Sequence, residues 1–286
     1  MKTDEDKFSA IWLSHSSISD FLTCPKLYYY VNIYKNPRSG RKITIMNPLL
    51  ALGQAVHAVI EELSTMPVDE RLKKPLSDRL DETWENIAGE KGGFSSGKQE
   101  SEYKEKAKKL LKTIEENPGP ITRKAVKIKQ DLPHYWFSEE ENFILCGKVD
   151  WIEYLDDSDS IHVIDFKTGK RKEKEDSLQL PIYFLLLKNT QDRKVEKMSY
   201  WYLQMSKEPE EVKIPDEDEA HEKIMKVAKR IKLARQLKHF SCSTDEKNGC
   251  QACSPYEAVV NGEGKFVGIG EFNKEVYIIP EEKKAL

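Results

Sequence analysis

The stretch VIDFKTG, residues 163–169, has the pattern of a β-strand that ends in a turn. Successive side chains of a strand point to opposite faces, so Asp165 and Lys167 are predicted to share one face while Phe166 enters a core on the other. An isolated acid and lysine in this arrangement most simply form a surface ion pair. The function of this pair therefore depends on what the rest of the chain places beside it.

Length and composition limit the possible classes of protein. The chain has 286 residues, of which 33% are charged, and its formal net charge is −3. This length allows one large domain or two small ones, and the acidic balance means that any nucleic-acid contact must come from a local basic patch. No apolar run approaches the about 20 residues that cross a bilayer, and the charged N-terminal segment lacks the apolar core of a signal peptide. Five cysteines without a secretion signal indicate a reducing cytoplasm. We therefore expect a cytoplasmic protein without a membrane partner.

Hydrophobic periodicity divides the chain into a helical part and a mixed part. Helices are predicted near Ser17 and after Pro48, and the charged, glycine-interrupted segment that follows is predicted to be a helical insertion at about 65–123. The remaining predicted elements are strands at 124–131, 134–138, 143–155, 160–167 and 197–205 and helices at 177–189 and 219–238. This order predicts an α/β (α+β) fold with a central mixed β-sheet flanked by helices. We expect one domain spanning residues 1–286.

A second acid precedes the VIDFKTG strand. Asp150 lies in the segment GKVD, and the turn at 156–159 separates it from Asp165. Antiparallel pairing across this turn would bring the two carboxylates to the same end of the sheet, where their repulsion favours a bound cation. Mg²⁺ is the expected ion for carboxylates that also face phosphate oxygens and water. Lys167 could then position or deprotonate the attacking water, or neutralise charge in the transition state. Surface ion pairs remain the alternative.

Two residue pairs with helical spacing accompany these acids. His57 and Glu61 are four residues apart in the helix after Pro48, so they share one face. Gln179 and Tyr183 have the same spacing directly after the VIDFKTG strand. These residues could belong to the same site as the acids. Alternatively, His57 is a histidine at the edge of a core helix and Tyr183 belongs to the core packing.

With the segments GQAVH, GKVD, IDFKTG and QLPIY in this order, the chain resembles the PD-(D/E)xK nuclease superfamily. The resemblance is to its RecB-like branch, which includes AddAB-type and CRISPR-associated RecB-like nucleases, and it covers about residues 14–190 and a C-terminal cysteine group. It implies a restriction-endonuclease-like core and hydrolysis of DNA phosphodiester bonds with Mg²⁺ or Mn²⁺. The resemblance also implies residue roles: His57, Asp150, Asp165 and the backbone carbonyl of Phe166 as metal ligands, Asp150, Asp165 and Lys167 as catalytic residues, and Gln179 and Tyr183 as the active-site wall or a DNA contact.

Four of the cysteines form a second group. In relatives with an iron–sulfur cluster, one cysteine lies in an N-terminal F-x-x-C-P segment and three lie near the C-terminus, which corresponds here to Cys24, Cys242, Cys250 and Cys253. The resemblance thus implies a [4Fe–4S] cluster. The C-terminal spacing here is C-x7-C-x2-C, whereas the common order is C-x2-C followed by a later cysteine. A four-cysteine zinc site and the absence of a metal therefore stay open. The region 239–286 holds this cysteine group and a predicted terminal hairpin.

The predicted helix at 219–238 carries a basic run that includes Lys226, Lys229 and Arg230. A solvated helix face is the usual meaning of such a run, and a surface that binds the DNA backbone independently of sequence is the hypothesis. The aromatic segment at 28–30 and Trp12 could stack on bases of a single strand or belong to the core.

These observations predict a metal-dependent DNA nuclease, an exonuclease acting on ends or single strands, in recombination, repair or defence. Its expected partners are single-stranded DNA or duplex ends, with a separate helicase, recombination or CRISPR-adaptation protein as a further partner. No nucleotide-binding motif of the type G-x-x-x-x-G-K-[ST] occurs, so unwinding would need another protein. The alternatives are a non-catalytic DNA- or partner-binding module that keeps the nuclease fold and a nuclease that processes CRISPR spacers.

Overall fold

A computed structural model describes residues 5–128, 130, 132–242, 244 and 249–280 of the chain. Its α-helices are α1 (His15–Thr23), α2 (Pro25–Tyr28), α3 (Pro48–Thr65), α4 (Leu76–Trp84), α5 (Gly97–Glu116), α6 (Gln179–Thr190), α7 (Glu217–Gln236) and α8 (Ser254–Val260). Its strands are β1 (Ile11–Leu13), β2 (Ile43–Ile45), β3 (His134–Ser138), β4 (Phe143–Cys146), β5 (Trp151–Leu155), β6 (Ser160–Lys167), β7 (Val195–Tyr202), β8 (Glu210–Val212), β9 (Lys265–Ile269) and β10 (Glu275–Ile278). A π-helical turn, Tyr29–Ile33, follows α2 directly.

The described strands form three sheets, each with both parallel and antiparallel pairs. Their strand orders are β1-β4-β3, β2-β10-β9 and β5-β6-β7-β8. In the four-stranded sheet, β6 pairs antiparallel with β5 and parallel with β7, and β8 adds antiparallel to β7. The predicted mixed α/β fold class is confirmed, with its strands distributed over several mixed sheets.

The chain contains two compact units. As far as their residues are described, the first comprises Met1–Ser14, Leu52–Glu85 and Glu102–Met225, and the second comprises His15–Ala51, Asn86–Ser101 and Lys226–Leu286. The expectation of one domain over residues 1–286 stays a prediction. So does the status of 65–123 as an insertion, although α4, α5 and short 3₁₀ turns do occupy that range.

The four-stranded sheet forms the centre of the first unit. Phe166 and Trp201 on neighbouring strands stack with ring centroids 5.3 Å apart, and both are fully buried with Trp151. Helix α6 packs against β3, β4 and β7. Large aromatic and β-branched side chains fit the pleated surface well, which explains why this sheet supplies the rigid support for the polar residues at its edge.

The predicted strand at 143–155 was wrong as a single element. The chain leaves β4 after Cys146 and enters another sheet as β5 at Trp151. A Cβ at Gly147 would lie 3.5 Å from the Tyr183 ring, an ordinary van der Waals distance, so the ring lies close to the backbone at the break. The predicted strand at 124–131 is also wrong over its described residues, because it contributes one isolated bridge, from Ala125 to Glu153.

The second unit is built around the sheet β2-β10-β9. Ile18, Phe21, Tyr28 and Ile43 are buried in it. The predicted C-terminal hairpin is observed as the antiparallel pair of β9 and β10. In the described part of the chain, no helix is long and apolar enough to cross a membrane.

Candidate active site and cysteine centre

Strand β6 places Asp165 and Lys167 on one side, as its alternation predicted. The Nζ atom of Lys167 lies 3.0 Å from Oδ2 of Asp165, while Phe166 between them stacks on Trp201. Asp165 is 2% exposed. The pair is therefore a partly buried one, in contrast to a surface ion pair on a solvated strand.

Asp150 lies immediately before β5, which corrects the expectation that it belongs to a strand. The register pairs Trp151 with Ile164, so the residue before β5 reaches the end of β6. There the Asp150 Oδ2 atom accepts a hydrogen bond of 2.9 Å from the backbone N–H of Phe166. The antiparallel pairing thus brings both acids to one end of the sheet, and their charges influence each other.

Helix α3 brings His57 to this end of the sheet. The His57 Nδ1 atom lies 3.3 Å from Asp150 Oδ2. One turn earlier, a Cβ at Gly53 would lie 3.5 Å from Oγ1 of Thr168, so the helix runs close to the end of β6. Burial by itself lowers the pKa of His57, but the Asp150 carboxylate more than offsets this, and the pKa is raised above its ordinary 6.5.

Helix α6 supplies a hydrogen-bonding bridge across Asp165 and Lys167. The Gln179 amide nitrogen donates to Asp165 Oδ1 at 2.6 Å, and its oxygen accepts a hydrogen bond from Lys167 Nζ. The same nitrogen lies 3.4 Å from the hydroxyl of Tyr183, one helical turn later. One amide therefore fixes both the acid and the lysine, and the predicted shared face of Gln179 and Tyr183 is observed.

The second oxygen of Asp165 is left without a hydrogen bond. Oδ2 is buried, and its contact with Lys167 lies outside hydrogen-bond geometry among the described residues. Burial and the neighbouring Asp150 carboxylate raise the pKa of Asp165 to about 7, although Lys167 and His57 act in the opposite direction. The Lys167 ammonium offsets part of the cost of burying this charged oxygen, and the oxygen can still act as a metal ligand.

Two residues beside Lys167 were missed in the sequence. Glu173 Oε2 lies 3.1 Å from Lys167 Nζ, and the Tyr200 ring centroid lies 5.1 Å from it. Burial lowers the pKa of Lys167, but Asp165 and Glu173 more than offset this, so the net pKa is raised. Glu173 belongs to a charged run that carries no signal of function. Tyr200 could have been found only from the parallel pairing that sets it opposite Asp165.

The donor set at this edge fits a divalent cation. It combines the carboxylates of Asp150 and Asp165 with the His57 imidazole, and carboxylate oxygen is the ligand that Mg²⁺ and Mn²⁺ prefer. Asp165 Oδ2 makes an ion pair with Lys167, and it lies at the same end of the sheet as the Asp150 carboxylate and His57, so these groups could together hold one ion.

Residues 12–259 match the sequence model of the PD-(D/E)XK nuclease superfamily, a range that includes every residue of this site. The chain belongs to this superfamily. PD-(D/E)XK nucleases typically use divalent metal ions, so membership indicates a metal-dependent nuclease with DNA as its substrate. No curated protein matches the chain significantly.

In this PD-(D/E)XK protein, four cysteine sulfurs form a second centre, within the second unit. The Sγ atoms of Cys24, Cys242, Cys250 and Cys253 all lie within 4.8 Å of one another. Gly249 has φ of +75°, and a Cβ there would come within 2.6 Å of Cys253 Sγ, so only glycine fits beside this sulfur. Thr244 hydrogen bonds lower the pKa of Cys242 to about 6, which favours the thiolate that metals bind.

The spacing of these sulfurs bears on what they could hold. Cys242 Sγ lies 3.8 Å from Cys24 Sγ and 3.6 Å from Cys253 Sγ. Four thiolates around one tetrahedral zinc ion, at Zn–S of about 2.3 Å, lie close to this distance from one another. The irons of a [4Fe–4S] cube hold their cysteines outside its corners, hence farther apart. The donor set fits both groups, and the distances fit a single ion. Cys146 lies outside the group, and burial raises its thiol pKa to about 11.

The remaining predicted residues lie on the surface of α7. Lys226, Lys229 and Arg230 are exposed, and the Arg230 guanidinium lies 5.6 Å from the centroid of the Phe21 ring. Of the aromatic residues considered for base stacking, Tyr28 and Tyr30 are buried, whereas Tyr29 is partly exposed.

Proposed function

We propose that this protein is a Mg²⁺- or Mn²⁺-dependent deoxyribonuclease of the RecB-like branch that hydrolyses phosphodiester bonds at DNA ends or in single strands. The observation that carries the proposal is Asp165, a buried acid whose Oδ2 atom lacks a hydrogen bond although Lys167 and a second acid lie beside it. Asp150 lies at the same end of the sheet, 3.3 Å from His57, so two carboxylates, a lysine and a histidine converge there. Recombination, repair or defence is the proposed setting, with a separate protein for unwinding.

The residues of the site have different proposed roles. A divalent ion held by His57, Asp150 and Asp165 would supply Lewis-acid stabilisation of the phosphate and an activated water. The raised pKa of Lys167 keeps its ammonium protonated at neutral pH, so it offers a fixed positive charge to the phosphate rather than a base. Gln179 holds this ammonium and the Asp165 carboxylate in one orientation.

The proposal is tested with end-labelled DNA. Single- and double-stranded substrates are incubated with anaerobically purified protein and Mg²⁺, Mn²⁺ or EDTA, alongside Asp165→Ala and Lys167→Ala. Cleavage is expected with a metal and absent in both variants, while Lys172→Ala, which removes an exposed lysine paired with Glu210, cleaves normally. Wild-type cleavage by either active-site variant would overturn the assignment. DNA binding without cleavage under all metals would support the non-catalytic module instead.

The mode of attack requires a second substrate. A circular single strand has no ends, so an exonuclease leaves it intact while it degrades the linear form. Cutting of the circle would replace the proposed end-dependent action with endonuclease action. Capture of a CRISPR-adaptation protein on the purified chain would support the spacer-processing role.

We further propose that the four cysteines hold a structural metal centre. The resemblance to RecB-like nucleases favours a [4Fe–4S] cluster, and the sulfur distances of 3.6–3.8 Å favour zinc. Metal analysis of anaerobically purified protein separates them, because a cluster gives four irons per chain and the alternative one zinc. Cys24→Ser is expected to lose the metal, and Cys146→Ser, which removes a thiol outside the group, to keep it. Equal metal content in Cys24→Ser and the wild type would contradict a centre here.

A further inference from the structure

The second unit contains a cavity of about 580 Å³ that the site described above does not use. Tyr29, Tyr30 and Phe240 form an aromatic lining, and Lys26, Arg235 and Lys238 bring three cationic groups to it. We propose that this cavity binds one nucleotide of single-stranded DNA, with the base against the aromatic rings and the phosphate held by Arg235 and Lys238. This inference deepens the proposed function, and it rests on DNA being the substrate.

The aromatic lining is supported from behind. The Phe240 ring lies 5.4 Å from the Tyr29 ring at 33° and 6.2 Å from the Tyr28 ring at 29°. Tyr28 is fully buried, whereas Tyr29 and Phe240 are partly exposed in the cavity. A rigid, half-open stack of rings can accept one more planar ring, and stacking a base on an aromatic side chain contributes binding energy whatever the base.

The cationic groups differ in how far their charge is already neutralised. Lys26 Nζ donates to both carboxylate oxygens of Glu257 at 2.8 Å, so its charge is paired. Arg235 donates to the Tyr28 hydroxyl at 3.3 Å, and no carboxylate among the described residues forms an ion pair with Arg235 or Lys238. These two side chains therefore carry positive charge that an anion could neutralise.

The surroundings of Arg235 are also rich in positive charge. Burial lowers the pKa of Lys42, and the charges of Lys274, Lys35 and Arg235 lower it further. Repulsion of this kind is unfavourable in the free protein and is relieved by a bound phosphate. The size of the cavity, its aromatic lining and the positive charge around Arg235 thus agree on a small anionic ligand with a planar part.

The backbone at Lys238 gives an independent observation. Lys238 follows the end of α7 with φ of +50°, and the N–H of His239 donates to the carbonyl of Ala234 at 3.0 Å. Glycine is the favoured residue at such a left-handed helix end, and a lysine there is conformationally less favourable. The left-handed turn allows both Lys238 and Phe240 to line the cavity. A strained residue whose side chain lines a cationic cavity points to a ligand.

Binding is measured by fluorescence anisotropy of a labelled oligothymidylate in EDTA, where no metal-dependent cleavage occurs. Lys238→Gly relieves the left-handed strain, so its melting temperature is expected to equal or exceed that of the wild type. Its affinity falls nonetheless, and the slope of log K against log [salt] becomes shallower by about 0.7 for the lost phosphate contact. Phe240→Leu is expected to bind about tenfold more weakly because it loses a stacking surface.

Two controls match these variants. Asn273→Gly relieves the same kind of left-handed backbone outside the cavity, and Lys265→Ala removes one lysine, paired with Glu90, outside it. Both are expected to bind as the wild type does. Wild-type affinity and salt slope in Lys238→Gly, or wild-type affinity in folded Phe240→Leu, would overturn the proposal.

Competition identifies the ligand part that is recognised. Thymidine monophosphate is expected to displace the oligonucleotide at lower concentration than inorganic phosphate, since the base adds stacking. Equal competition by both would reduce the cavity to a phosphate site and overturn its assignment to a nucleotide. Binding is measured in EDTA and cleavage with Mg²⁺, so the two proposals fail in different experiments. If the nuclease proposal is wrong, the protein binds the oligonucleotide but does not cleave DNA. If the cavity proposal is wrong, the protein still cleaves DNA, but the cavity variants bind the oligonucleotide as the wild type does.

Discussion

Two buried acids on the same sheet, Glu153 and Asp165, have opposite environments. Both oxygens of Glu153 are bonded, one by Arg123 at 2.6 Å and the other by His162 at 2.8 Å. Burial by itself would raise the pKa of Glu153, but these bonds lower it below its ordinary 4.5. Asp165, equally buried, has one oxygen whose described partner is the Lys167 ammonium, and its pKa is raised by burial and the Asp150 carboxylate. The two acids are equally buried, so what distinguishes them is how completely their oxygens are hydrogen-bonded.

Glu153 belongs to a hydrogen-bonded series of three side chains that resembles the triad of a hydrolase. His162 contacts Glu153 through Nδ1 and the Ser199 hydroxyl through Nε2, at 2.7 Å. Ser199 is 1% exposed, so no substrate reaches its hydroxyl. We therefore interpret these three residues as a polar bridge across β5, β6 and β7, which stabilises the sheet.

The comparison is tested most strongly by matched amide substitutions. Asp165→Asn is expected to lose at least about 10³-fold in cleavage rate, because the metal-facing carboxylate is gone, while its folded structure is kept. Glu153→Gln is expected to cleave at the wild-type rate under all conditions in which the variant is folded. Initial cleavage rates with Mg²⁺ and circular-dichroism melting curves measure both effects. Loss of cleavage in well-folded Glu153→Gln would break the distinction between the two acids.

A smaller effect is expected from the residue that orients the functional acid. Gln179→Ala removes the bridge between Asp165 and Lys167 and should lower the cleavage rate about 10–100-fold. The control is Gln191→Ala, directly after α6, whose amide hydrogen-bonds only to backbone groups of Leu187 and Arg193 in the described structure. Equal rates in the two variants would show that Asp165 and Lys167 need no such support.

Glu153 is expected to contribute to the stability of the fold. Glu153→Gln is expected to lower the free energy of unfolding at pH 7 by about 1–3 kcal/mol, since it removes the charge that His162 and Arg123 bind. Because the folded pKa of Glu153 is lowered, its contribution is fully present above about pH 4.5 and is lost as the pH falls through the folded value. Urea unfolding at several pH values should therefore show the two proteins converging in acid. A difference that does not change with pH would contradict a charge-based role.

The smallest effect is expected for the exposed partner of this acid. The Arg123 side chain is 62% exposed, so water can replace it, and Arg123→Ala should cost less than about 1 kcal/mol. The same urea unfolding measures this loss. A cost as large as that of Glu153→Gln would show that the ion pair, rather than His162, keeps Glu153 satisfied.

Local periodicity predicted which side chains lie together in the candidate active site. The strand period of two placed Asp165 and Lys167 on one side, and the helical period placed Gln179 and Tyr183 on one face. Elements with a strong local pattern were predicted well: β3 and β6 have the predicted bounds, and α6, β7 and α7 are shifted by at most three residues. The long segment 143–155 was not, because the chain leaves β4 after Cys146 and joins a different sheet at Trp151, and the strand-like patterns on either side do not reveal this change of sheet.

Short sequence motifs identify the acids, the lysine and the glutamine of the candidate active site and the four cysteines, because each of these residues belongs to a pattern a few residues long. Contacts between residues far apart in the chain depend on the tertiary structure. Glu153 meets Arg123 and His162, Lys167 meets Glu173, and the aromatic turn after α2 meets the end of α7 at a cavity. These partners are far apart in the chain or lie in segments without periodicity, so their contacts arise only when the sheets and helices pack.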